Sequence, residues 1–149
     1  PTTNASGVAT LGGWTLGSTS ADAANGTMAN SLSASATGAG STSFAASAIY
    51  ILSGDVQPIY TGSCTGCHFT GGTAPDLSTG NSRGSTVNVV ATCNSGFFRI
   101  APSDATNSVL YRRISDGAIC GFMPPATSGL STAQQKIIRA WINNGALNN

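Results

Sequence analysis

Charge is what this sequence has least of. Charged side chains make up 7% of the 149 residues, Glu is absent, and a formal charge of +1 comes from six Lys and Arg against five Asp. Soluble domains usually carry roughly 25% charged residues. Six scattered cations cannot neutralise a phosphate backbone, which argues against nucleic-acid binding. There is also too little charge for the self-repulsion that keeps some chains disordered. No apolar run approaches the ~20 residues that a membrane-spanning helix needs, so no transmembrane span is predicted. His occurs once, at position 68, and Met twice, at 28 and 123. The chain opens at Pro1 with neither Met nor a basic-then-apolar leader. That predicts an exported protein, periplasmic or extracellular, whose targeting segment has been removed.

What is present falls into two parts. Residues 1–54 carry one charged side chain, Asp22, and the other ten lie between Asp55 and Arg139. The first part is dense in Ser, Thr, Ala and Gly, a composition common in linkers. Within it, Ser31 to Thr37 alternates polar and apolar residues, and Gly38 to Gly40 separates that stretch from Phe44 to Leu52, which is richer in aromatic and β-branched residues. This pattern predicts a β-hairpin, with an Ala-rich helix over Phe44 to Leu52 as the competing reading. Gly12-Gly13 is a second two-residue turn signal. We therefore divide the chain into an arm, residues 1–53, and a domain, residues 54–149.

Helical signals begin after Ser53. Asp55 is placed to cap a helix that tolerates Pro58 in its first turn and delivers Cys64 at its end. Asn107 or Ser108 opens a short amphipathic stretch through Val109, Leu110, Arg113 and Ile114. Ser131 and Gln134 form a capping box for a last helix whose apolar face is Ala133, Ile137, Ile138, Trp141 and Ile142, with Gly145 as its left-handed stop. Gly71 to Gly84 and Ala101 to Asn107 read as loops.

The residues with chemistry to offer start at Cys64-Thr65-Gly66-Cys67-His68, the spacing of covalent haem attachment. Two thiols separated by two residues can add to the two vinyl groups on one haem edge, and the next residue then brings an imidazole to the iron. The competing readings are a redox dithiol and, with Cys93 and Cys120, a zinc or iron–sulfur site. A six-coordinate haem needs a second axial ligand. Met123 lies in Gly121-Phe122-Met123-Pro124-Pro125, where the prolines prevent helix and stiffen the backbone around a weak thioether ligand. Met28, in the arm, has no such neighbours and reads as an apolar side chain packed on a sheet.

Val56-Gln57-Pro58-Ile59-Tyr60, the Cys-x-x-Cys-His motif, Met-Pro-Pro, Leu130-Ser131 and Trp141 to Ala146 occur in that order. Over residues 54–149 the chain resembles the small, class I-like, single-haem c-type cytochromes. The resemblance implies a mainly α domain, preceded here by the low-charge, hairpin-containing arm. It implies a helix before Cys64 packed across the terminal helix, one covalent haem c, and iron ligation by His68 and Met123. The arm and the scarcity of charge depart from that pattern.

Supporting roles follow. His68 is expected to donate its second ring N–H to a carbonyl in the loop Gly72 to Pro75, which makes Pro75 a site residue. Tyr60 and Phe122, near the ligands in sequence, are the aromatics expected at the haem; Phe69, Phe97, Phe98 and Tyr111 read as core. Arg99, Arg112 or Arg113 could pair with a propionate. The leftover Cys93 and Cys120 most simply form a disulfide, the alternative being two free thiols. These readings make a non-enzymatic single-electron carrier that exchanges electrons with redox partner proteins. Its arm is expected either to join copies into an oligomer or filament or to cover its own domain. A haem enzyme or sensor with a displaceable Met123, and a haem-free metal-stabilised module, are the rivals.

Overall fold

The structure, a computed structural model, describes residues 4–8, 27–36, 38 and 40–149. The Gly12-Gly13 turn signal lies outside the described residues. The arm's alternating stretch is a hairpin: β1 (Thr27–Ala36) pairs antiparallel with β2 (Gly40–Ile49) in unbroken register, from Thr27 opposite Ile49 to Ala36 opposite Gly40. Gly38 and Gly40 make the reversal, both with positive φ (+82° and +81°) that an L side chain resists. Phe44 therefore stands in a strand, not a helix, and is 54% exposed. Met28 lies in β1 opposite Ala48.

The domain begins with a π-helical turn, Leu52–Val56, that runs into α1 (Gln57–Ser63), with Pro58 in the first turn where its missing N–H costs nothing. Asp55 does not cap α1. Its Oδ2 accepts the Ile51 N–H at 2.8 Å, so it closes the entrance to the π-turn instead. Two short strands then follow: β3 (Val90–Ala91) pairs antiparallel with β4 (Asn94–Phe98) across a bulge. The last elements are α2 (Val109–Ser115) and α3 (Thr132–Asn143). Both bonds of the Ser131–Gln134 capping box form, and Gly145 (φ +93°) ends the helix region.

The expectation of a mainly α, cytochrome c-like fold is overturned. The described residues hold three short α-helices and two antiparallel strand pairs, and turns make up most of residues 64–108. The cause is visible in composition. Without Glu, with one Lys, and with Gly and Pro spread through residues 66–125, long stretches lack helix formers. Among the described residues no helix is long and apolar enough to cross a membrane.

One core holds these pieces together. Leu52 and Val56 from the π-turn and Ile59 and Tyr60 from α1 meet Ile100, Ile114, Ile138, Trp141 and Ile142. α3 packs on the π-turn and on α2, so the crossing implied for α1 is made chiefly one turn earlier. The C-terminal segment folds back to close this core: Trp141 Nε1–H donates to the Leu147 carbonyl (3.0 Å), Arg83 Nε–H to that of Ala146 (2.8 Å), and Ser53 N–H to that of Asn149 (3.0 Å). Inside, Gln57 is 6% exposed; its Nε2–H donates to the Leu77 carbonyl (2.9 Å) while its Oε1 accepts the Ser82 hydroxyl (2.7 Å), fastening α1 to the loop beyond His68.

Candidate functional site

Cys64 is the C-cap of α1, its N–H donating to the Tyr60 carbonyl at 2.8 Å. The chain turns at once: Cys67 and His68 both donate backbone N–H groups to the Cys64 carbonyl, at 3.1 and 2.9 Å. This tight reversal puts Cys64, Cys67 and His68 at one place, and both thiols are free. Burial pushes the Cys64 thiol up to about 11, whereas Cys67 is exposed.

The His68 ring is fixed from behind. Its Nδ1 lies 3.0 Å from the Thr73 carbonyl oxygen and 3.2 Å from that of Pro75. Both partners can only accept, so Nδ1 is the donor, and in the neutral ring Nε2 is the nitrogen with the lone pair. That is the tautomer a metal-binding imidazole needs. The loop supplying these acceptors is itself held: Thr73 N–H donates to the Cys67 carbonyl and Leu77 N–H to that of His68, each at 2.9 Å. Gly72 is required there, since a Cβ would lie 2.7 Å from the Cys67 carbonyl oxygen. Asp76 ties the loop from outside. Its Oδ2 accepts from the Thr70 hydroxyl (2.7 Å) and Asn81 Nδ2 (2.9 Å), and its Oδ1 from Ser78 N–H (2.9 Å). These bonds, that of Thr70 first, hold its carboxyl down at about 2.

Met123 comes from the segment between α2 and α3, its N–H donating to the Arg113 carbonyl at 2.8 Å. Three residues earlier, Cys120 is bonded to Cys93, which lies in the β3–β4 turn. Two adjoining hollows, of about 680 and about 730 Å³ and both open to solvent, share Cys64, His68, Met123 and Ile114 in their walls. Tyr60 and Pro75 also line the first, with Leu77, Ala91, Val109 and Leu130 as an apolar surround. Tyr60 is buried, and its hydroxyl has no partner among the described residues. Burial, and then the neighbouring Cys64, push that phenol up.

The other expected contributors divide. Arg99 and Arg113 line the first hollow, Arg99 steadied by donating Nη1–H to the Ser85 carbonyl at 2.7 Å. Arg112 turns away to pair with Asp116 at 2.8 Å. Phe122 is 37% exposed and lines neither hollow; its ring covers Gly117, where a Cβ would come within 2.7 Å of it. Phe69 and Phe98 are exposed, and Tyr111 faces the Arg139 guanidinium at 6.0 Å. Ala91 and the β3–β4 turn escaped the sequence reading. The apolar runs Val89-Val90-Ala91 and Phe97-Phe98, on either side of Cys93-Asn94, were the signal for them.

Among the described residues no group of three or more His, Cys, Asp or Glu side chains gathers as a metal cage. The disulfide withdraws Cys93 and Cys120 from the zinc or iron–sulfur donor set. What remains around the two hollows is two free thiols, one imidazole, one thioether and a buried hydroxyl with no partner among the described residues. That donor set fits a covalently attached haem. No family model, curated protein or solved structure matches the chain.

Proposed function

We propose that the chain carries one haem c, joined by thioether bonds at Cys64 and Cys67, and works as an exported single-electron carrier rather than an enzyme. The observation that carries this reading is the meeting of His68, its tautomer set by two carbonyls, with Met123 on the wall of one cleft beside both free thiols. When bound, the haem supplies a one-electron ferrous–ferric couple. The residues do the rest. Nε2 of His68 and the Met123 thioether are the iron ligands, Arg99 and Arg113 offer guanidinium groups to carboxylates, and the apolar wall excludes water. A thioether partner favours the ferrous state relative to a second imidazole. With a formal charge of +1, encounter with redox partner proteins depends little on salt.

Intact mass of the native protein tests this together with a reduced-minus-oxidised absorbance spectrum. The expected result is the sequence mass plus one haem and a haem c difference spectrum; the bare polypeptide mass would sink the reading.

For the arm, the reading is assembly with further copies of the chain. In support, β1 and β2 contain no charged residue and no Pro, and the described side chains between Ser31 and Ala45 are exposed or half-exposed. Such strands lack the devices that discourage edge pairing. Placing a charge there with Phe44→Lys in the full chain is expected to shift gel-filtration size toward the monomer; an unchanged profile would refute it.

A further inference from the structure

We infer that the Cys93–Cys120 disulfide is a thiol-operated latch on Met123, and that opening it vacates the thioether position in the cleft for a small ligand. The inference rests on the haem reading above and concerns what keeps Met123 in place.

From Asp116 to Gly129 no residue is buried; the segment hangs between Ile114 and Leu130, the core residues on either side. Its packing therefore does not fix Met123. The ties that reach outside the segment near Met123 are the disulfide and two bonds to Arg113: Met123 N–H to the Arg113 carbonyl, and Arg113 Nε–H to the Gly121 carbonyl at 3.3 Å. The disulfide is the covalent one, and its far end is anchored well. Cys93 follows closely on Ala91, which is 1% exposed in β3, and Cys93 itself lines the cleft. Cys120 also holds φ at +64°, in the left-handed region that a non-Gly residue adopts at a cost. Once the cross-link is gone, residue 120 is free to leave that conformation and carry Met123 with it.

The bond is reachable, since Cys93 is exposed and Cys120 half-exposed. A dithiol reductant balances the step. One thiolate attacks Cys93 Sγ and forms a mixed disulfide while Cys120 departs as a thiolate and takes up a proton. The reagent's second thiol then displaces Cys93. The reagent ends as a disulfide, having passed two electrons and two protons to the protein.

The test uses the full native chain with carbon monoxide as probe. Ascorbate, a one-electron donor that leaves disulfides closed, is compared with dithiothreitol, and alkylation followed by mass analysis counts the thiols released. With ascorbate, little carbon monoxide binding is expected. With dithiothreitol, two alkylatable thiols and a rise in apparent affinity of about tenfold or more are expected, because apparent affinity scales with the fraction of molecules whose site is open. The far-UV circular dichroism should stay unchanged, and reoxidation should restore the starting spectrum. Cys93→Ser with Cys120→Ser should bind carbon monoxide without any dithiol, and if that variant does not fold, the wild-type titration still decides. Two thiols released with affinity unchanged would overturn the latch and leave the haem reading standing. Carbon monoxide uptake accompanied by loss of the far-UV signal would make the bridge a general stabiliser and overturn the latch too. A chain with no haem adduct would overturn both.

Discussion

Replacing Gly129 by Ala should be among the most damaging single methyl additions in this protein. Gly129 has φ +92°, and a Cβ there would collide with the Ile114 carbonyl oxygen and lie 2.8 Å from its carbon. The adjoining bond, Leu130 N–H to that same oxygen at 3.0 Å, closes the segment that carries Met123 back onto α2. Three costs add. The left-handed conformation costs an L residue ~1–2 kcal/mol, forcing the backbones apart ~1–3 kcal/mol, and losing or stretching the hydrogen bond ~1 kcal/mol. The sum is about 3–6 kcal/mol, a large part of the ~5–15 kcal/mol that holds a domain folded. Gly80→Ala is the control, because Gly80 has φ +86° but nothing within 4 Å of its Cβ position. That variant should lose only the conformational ~1–2 kcal/mol. Urea unfolding of both variants, followed by far-UV circular dichroism, yields the difference, expected at ~2–4 kcal/mol from the close approach and the hydrogen bond it disturbs. Equal losses in the two variants would show that the contact with Ile114 is not felt.

Two further outcomes follow from the polar ties. Asp76 has a folded-state value near 2, below its unfolded one; its ionised form is therefore favoured by folding, and its contribution is present above about pH 3.9 and lost as pH falls toward about 2. Asp76→Asn should accordingly be less stable than wild type near neutrality, with the gap closing over that acid window in urea titrations at stepped pH; a gap independent of pH would refute the assignment. Gln57→Leu strands the Ser82 hydroxyl and the Leu77 carbonyl without their partner, and should cost about 2–4 kcal/mol. A loss within experimental error of zero would mean that those groups find water or another neighbour.

The parts legible in the sequence are those with short-range causes. A capping box, a proline near a helix start, a glycine stop and a period-two alternation each act over four or five residues, and α3, α1 and the hairpin stand where those signals lie. The Cys-x-x-Cys-His turn and the Met-Pro-Pro segment are also local, and the cleft brings them together. What failed depended on distance along the chain. Asp55 had two backbone amides to choose from, and the π-turn, invisible in the periodicity, gave it Ile51 instead of the start of α1. Phe122 neighbours Met123 in sequence, and its ring lies over Gly117 and beside Gly129, where the missing side chains leave it room. The mainly α expectation came from a resemblance between motifs, and the residues between those motifs, rich in Gly, Ser and Thr, prefer turns and the β3–β4 pair.

The clasp around Asp76 sets an order of failure. The carbonyls that orient the imidazole belong to a loop whose outer bonds, Thr70 to Asp76 and Asn81 to Asp76, are made in contact with solvent, while Trp141 and Ile138 sit sealed away. Acid or urea meets the first set long before the second. On gradual denaturation the histidine should lose its orientation while the helices still stand, a partial opening that precedes global collapse.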